Sequence, residues 1–392
     1  MTFRLSTILL SLSLLFYLLA KQDLDLPAGA LQASGMLFLL MGAIAGRYRP
    51  PPLMMLGALI GSSFLLVGWA VSGGPIEGML NAVFILLSFP LALAAAASLR
   101  SRAFLWIAVL LVSGLCFLGI ATGDISVSYI GDSRVDRWVL GFLRPTFLAE
   151  AMVLMVMALH GLRGHGVWRQ LAWWLALLAV LAVQFKTGSR AGLGASIVFL
   201  FLAWENQLAR GHRRAVRFAT RGVVIIGLAW LGLAEWDVDM VDPLTTGRLS
   251  ILQVEIAGNL KQPLHWLLGN SDAEAIFRYS TDREGLVYHI DSFYGERLVS
   301  SGLVGLAVIG LMAFAFGRSG NRNTHAALAA ILFYGLFENG VFNVTSGFAA
   351  YSLVFAALLA RVPDANTSYA SIRQRARNLH RRDGLRTPAS RG

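Results

Sequence analysis

The stretch Ala103–Ala121, AFLWIAVLLVSGLCFLGIA, carries no charge, and Arg100 and Arg102 stand just before it. A bilayer core takes about 20 apolar residues as a helix, with roughly 17 to 25 usual. This run is therefore read as a membrane span. Working outward in both directions, similar runs recur from one end of the chain to the other: Leu5–Ala20, Ala28–Ala45, Leu53–Val71, Met79–Leu99, Thr146–His160, Leu171–Phe185, Ala191–Trp204, Val223–Leu233, Val299–Phe316, Ala326–Phe337 and Phe348–Leu359. The shorter ones extend into flanking Trp and Tyr, which favour the membrane interface. Composition agrees with this reading. Of 392 residues 56% are hydrophobic and 14% charged, with mean hydropathy +0.63, too little polar surface for a soluble chain of this length.

The single cysteine, Cys116, lies inside an apolar run, so an intramolecular disulfide is impossible and the redox compartment is not legible. The net charge of +11 does not point to nucleic acid, because the arginines sit in short connections between apolar runs. That distribution sets membrane orientation. With both termini in the cytoplasm, two thirds of the 33 Lys and Arg fall on inner segments. The acids run the other way and cluster between Glu235 and Glu296. Met1–Ala20 is read as a retained helix rather than a signal peptide, since no small-x-small cleavage site follows cleanly.

The expected fold class is thus all-α: a polytopic membrane protein of about 12 transmembrane helices, with one large non-cytoplasmic loop between the ninth and tenth. The membrane domain covers 1–362 and includes the loop 235–297. In that loop 247–258 and 272–279 have helical character, with Pro263 and Gly269 as breakers. The segment 363–392 is expected to be a disordered, basic cytoplasmic tail that touches anionic lipid. Neither an internal repeat nor a Walker-type glycine loop occurs, which argues against ATP-driven transport within the chain.

Charges that the topology does not need are the informative ones, and four outer groups stand out. Lys186-Thr187-Gly188-Ser189-Arg190 forms a tight turn between two helices. Snorkelling would explain its cations, but an arginine at the mouth of a bundle also suits a phosphate, which its planar fork binds through paired hydrogen bonds. Arg248, after Thr245-Thr246-Gly247, is either a solvated helix residue or a second cation of the same kind. His289-Ile290-Asp291-Ser292-Phe293-Tyr294, with Glu296 and Arg297 following, places an imidazole beside a carboxylate. Such a pair suits general-base work near neutral pH; the alternative is an interfacial polar belt. No His-x3-His spacing or cysteine joins it, so a metal site is not expected. The fourth group runs from Asp132 to Arg144 and into Pro145, where a break at a helix start is expected.

Taken in order, these pieces resemble the O-antigen ligase and O-antigen polymerase family of bacterial inner-membrane glycosyltransferases. The match consists of a Gly-Phe-x-x-Pro-like stretch (Gly141–Pro145), a Thr-Gly-Ser-Arg-Ala-Gly turn (Thr187–Gly192), and a long outer loop. That loop starts near Gly247-Arg248 and ends in His-x-Asp-Ser-x-Tyr and Ser-Gly-Leu-Val-Gly-Leu (Ser301–Leu306). The resemblance covers about Arg134 to Leu306. It implies transfer of a lipid-linked glycan at the periplasmic face of the inner membrane, from an undecaprenyl-pyrophosphate donor to a glycan or lipid A-core acceptor, without metal, nucleotide or other cofactor. It further implies that Arg190 and Arg248, with Lys186 and Arg144 beside them, hold the pyrophosphate, and that His289, with Asp291, handles the acceptor proton. Association with a flippase or chain-length regulator fits the same picture. Many ligases carry His-Asn where this chain has His289-Ile290-Asp291, so the polymerase reading leads and the ligase follows. A transporter would place charged or broken helices near the midplane; the predicted mid-helix regions are nearly free of charge. Asp23 and Asp25 invite a polyprenyl-phosphate glycosyltransferase, but their loop, 21–27, is too short for such a site.

Overall fold

Apolar runs become helices because an α-helix satisfies every backbone donor and acceptor within one segment. The computed structural model describes residues 5–22, 27–45, 50–72, 76–99, 101–127, 137–164, 166–205, 260–269, 280–281, 287–288, 293–338 and 348–361. Its helices are α1 (Leu5–Leu19), α2 (Ala28–Ala45), α3 (Pro52–Ser72), α4 (Ile76–Ser98), α5 (Ser101–Thr122), α6 (Pro145–Leu162), α7 (Val167–Thr187), α8 (Arg190–Glu205), α9 (Pro263–Leu268), α10 (Phe293–Arg318), α11 (Arg322–Phe337) and α12 (Phe348–Leu359). Each predicted run is found as a helix except Val223–Leu233, which lies outside the described residues together with Arg210–Arg221 and the tail 363–392. Among the described residues five helices are long and apolar enough to cross a membrane: α2, α5, α6, α7 and α10.

Three details differ from expectation. The helix expected at Val299 begins at Phe293, taking Glu296 and Arg297 out of the predicted loop. An acid in the first turn is favourable there, facing the positive end of the helix dipole. Pro263, expected to break structure, opens α9, since a first helical position has no use for the missing N–H. Finally, the chain is not wholly helical. Two-residue antiparallel ribbons pair β1 (Ser126–Val127) with β2 (Arg137–Trp138) and β3 (Ser280–Thr281) with β4 (Val287–Tyr288).

Burial sorts the helices. Every residue of α12 is buried, and α12 packs against α4, α6 and α11. A helix apolar all round belongs in such a position. In contrast, α2 buries only Gly35, Leu39, Gly42 and Ala43 and exposes Leu37, Leu40, Met41 and Ile44. An apolar exposed face on a helix of spanning length suits hydrocarbon rather than water.

α10 is interrupted at Gly302, whose φ of 63° and ψ of −167° are not helical. A Cβ there would strike the Leu267 carbonyl of α9. Gly269, at φ 81°, lies against the backbone of Ser300 and Ser301. The short helix is thus seated backbone to backbone on the kink, an approach and a dihedral open only to glycine. Gly302→Ala should lower stability by about 1–3 kcal/mol, seen as a lower thermal midpoint of the detergent-solubilised protein. Gly310→Ala, where a Cβ would meet nothing within 4 Å, should leave the midpoint unchanged or raise it.

Candidate functional site

The segment before α6 is knitted to the end of α1. The Leu143 N–H donates to the Lys21 carbonyl at 2.9 Å, and Gln22 pairs with Phe142 in an antiparallel bridge. The Gly141 N–H donates to the Asp124 carbonyl at 2.8 Å, and Val139 and Leu140 both donate to the Ile125 carbonyl. Gly141 has φ 82°, and a Cβ there would lie 2.9 Å from both Gln22 Oε1 and Gly119 Cα. Leu140 is held at φ 46°, a region few non-glycine residues enter unless their surroundings require it. Arg144 then caps α6 in extended conformation, with no side-chain cap and Pro145 at the first helical position. The break expected at Arg144-Pro145 is therefore present, and the Arg144 side chain is exposed.

The Lys186–Arg190 turn is equally ordered. Gly188 ends α7 in the left-handed conformation, φ 67°. The Thr187 hydroxyl donates to the Gln184 carbonyl at 2.6 Å and accepts from the Ser189 N–H at 3.1 Å. Ser189 Oγ accepts from the Gly192 N–H at 3.2 Å and so caps α8. Gln184 Nε2 ties the two helices, donating to the Gly192 carbonyl and to Ser196 Oγ. Lys186 and Arg190 are exposed on either side of the turn. A Cβ on Gly188 would lie 3.2 Å from Arg137 Nε, and one on Gly192 would lie 2.7 Å from Ala149 Cβ. The turn thus sits between β2 and the first turns of α6. Lys186, Arg190, Arg137 and Arg144 share one end of the bundle with Lys21.

The group that the sequence reading missed lies directly beneath. Lys21 Nζ is 3.6 Å from Glu150 Oε2, and both side chains are buried, 3% and 4% exposed. The Tyr17 hydroxyl donates to the same Glu150 oxygen at 3.1 Å, and Lys21 Nζ stands 3.7 Å from the Phe147 ring centroid. Tyr17 stacks on Tyr351 at 4.5 Å, and the Tyr351 hydroxyl is 2.6 Å from Ser13 Oγ. Burial pulls the pKa of Lys21 down, opposed by the Glu150 charge. Glu150 lies inside a predicted apolar run, Thr146–His160. Glu150 is the sixth residue of α6, about 8 Å along its axis at 1.5 Å per residue, nearer the Lys21 end than the middle. A signal was available: across the twelve predicted runs Glu150 is the only charged residue. Ionisable residues in such positions mark function by default. Arg137 lay inside the flagged Asp132–Arg144 group, but its approach to Gly188 is a contact between distant segments.

Of the other predicted site residues, Arg248, His289 and Asp291 lie outside the described residues, as do Asp23 and Asp25. Glu296 and Arg297 form an ion pair of 2.6 Å in the first turn of α10, with Arg297 3% exposed and its Nε unpartnered. The Tyr294 hydroxyl donates to the Leu332 carbonyl, joining α10 to α11. His265 is half-buried in α9.

The class these features define is a helical membrane-type bundle in which Lys186, Arg190, Arg137 and Arg144 lie at the same end as Lys21. No protein-family model matches the chain, and a search of curated proteins finds no match.

Because Ser189 alone supplies the side-chain cap of α8, Ser189→Ala should cost about 1 kcal/mol. Thermal unfolding of the purified variant checks this, with Ser189→Asp, which can still cap, expected close to wild type.

Proposed function

We propose that the chain is a polymerase of lipid-linked polysaccharide repeat units of the O-antigen, capsule or exopolysaccharide type. It lies in the bacterial inner membrane with the Lys21 end facing the periplasm. It moves a growing glycan from undecaprenyl pyrophosphate onto a repeat unit held on a second carrier. The observation that carries this reading is the collection of Lys186, Arg190, Arg137 and Arg144 around the starts of α6 and α8, on the side where the charge bias of the sequence does not call for cations. The ordered resemblance of Gly141–Pro145, Thr187–Gly192 and the His289 segment supports it.

The chemistry needs two services. The acceptor hydroxyl oxygen bonds to the anomeric carbon of the donor sugar, and its proton passes to His289, with Asp291 orienting the ring. The bond from that carbon to the pyrophosphate oxygen breaks, leaving both electrons on the oxygen and a free carrier pyrophosphate. Arg190, Arg248, Lys186 and Arg144 hold the diphosphate and stabilise the charge that develops as it departs, an effect strongest where water is scarce. These are cations of the chain itself, so the reaction is written without a metal ion.

The test is turnover of purified protein with a lipid-linked repeat unit. Lengthened carrier-linked chains are expected; transfer of finished chains to lipid A-core without lengthening would reassign the protein as a ligase. Arg190→Ala should lose about 3 kcal/mol of transition-state stabilisation, about a hundredfold in rate. Arg190→Lys should recover little, because an ammonium lacks the paired fork. His289→Ala should lose about a hundred- to ten-thousandfold in turnover while still binding donor, and His265→Ala should be mild. Loss of donor binding rather than turnover in His289→Ala would remove the histidine from its role as base.

A further inference from the structure

The Lys21–Glu150 pair sits below the cationic end and has no part in the reaction as written. A buried ion pair is weak evidence for stability, since taking two charges out of water costs about as much as their attraction returns. Here the pair is accompanied by a second expense, the strained Leu140 and the crowded Gly141 beside it. Both features converge on Arg144. The Leu143 N–H is bonded to the carbonyl of Lys21 itself, which places Arg144 one residue beyond that bond. Glu150 stands on the same helix that Arg144 caps. Among the described residues Arg144 makes no ion pair, while Glu150 is engaged by Lys21 and Tyr17.

Two cations and one carboxylate therefore share this corner, and which cation the carboxylate takes decides what is left for a ligand. We propose that Lys21 is a positioning residue: by occupying Glu150 it keeps the carboxylate from Arg144 and leaves that guanidinium available to a diphosphate. Without Lys21, Glu150 is an uncompensated charge among apolar side chains. The flexible, exposed arginine at the head of its own helix is the neighbouring cation that relieves it, and a guanidinium turned onto a buried carboxylate is lost to a phosphate. Without Glu150, nothing competes for Arg144. The two halves of the pair thus have unequal roles, whereas a pair serving only stability has equal ones.

This inference rests on Arg144 contacting the donor pyrophosphate. The experiment is binding of inorganic pyrophosphate to the full-length protein in detergent micelles, with the thermal midpoint measured on the same samples. Lys21→Met should weaken binding by about tenfold to a hundredfold, the worth of one charge-assisted contact. Glu150→Gln and the double variant Lys21→Met/Glu150→Gln should bind as wild type, whatever their midpoints. If Lys21→Met does not fold, the double variant decides: wild-type binding supports the assignment, and binding as weak as in Arg144→Ala overturns it. Equal losses in Lys21→Met and Glu150→Gln that track the midpoints would also overturn it, reducing the pair to a structural link. Wild-type binding in Lys21→Met, with weak binding in Arg144→Ala, would sink this inference alone. Wild-type binding in Arg144→Ala would overturn both it and the placing of Arg144 in the donor site.

Discussion

The contact around which the Lys21 end of the bundle is built is the one between Lys21 and Glu150. It joins the segment just after α1 to the second turn of α6, in surroundings where neither charge could stand alone. The segment between α5 and α6 lies over that junction, paired to Lys21 and Gln22 through its backbone. The turn between α7 and α8 leans on the neighbouring residue Ala149. Arg144, Arg137 and Arg190 thus stand on segments packed around the junction that Glu150 and Lys21 make. A helix bundle in lipid has little hydrophobic drive to choose among packings; a buried charge pair supplies a choice that apolar contacts cannot.

The two ends of the bundle are closed by different chemistry. At the far end, among the described residues, side chains reach carbonyls at the helix ends. Ser6 Oγ donates to the Ser98 carbonyl at 2.9 Å, and Arg361 reaches the Ala97 carbonyl at 2.7 Å. Asn321 caps α11 in a reciprocal box with Thr324 and also donates to the carbonyls of Leu359 and Ala360. These bonds satisfy helix termini. At the Lys21 end the termini are closed by backbone pairing and small hydroxyls, and the Lys186, Arg190 and Arg144 side chains are exposed beside them.

Much of this was open to reading from the chain. Long uncharged runs have one stable form in a bilayer, so the helices fall where the runs do. The break at Arg144-Pro145 and the turn at Gly188 follow from local backbone rules, and both are present. Non-local matters were not legible. Glu150 stands out as the one charge inside a predicted run, but its meeting with Lys21 depends on how α1 and α6 are placed. Arg137 beside Gly188 is likewise a product of tertiary placement. The kink at Gly302 was hidden because Ser301–Leu306 reads as one more stretch of apolar helix; only the docking of α9 makes that glycine necessary. Arg248, His289 and Asp291 still rest on their sequence context.

The complete burial of α12 bears on how the bundle is made. A membrane chain enters its bilayer from the N-terminal side, and Phe348–Leu359 follows every other described helix in the order of synthesis. Yet it is the element around which α4, α6 and α11 are arranged. The helices that surround α12 are thus all made before it. Its small and aromatic side chains, Ala349, Ala350, Ala356 and Ala357 among Phe348, Tyr351 and Phe355, give it the slim profile that late entry demands. The bundle is in this sense assembled from the outside inward, and its keystone is laid last.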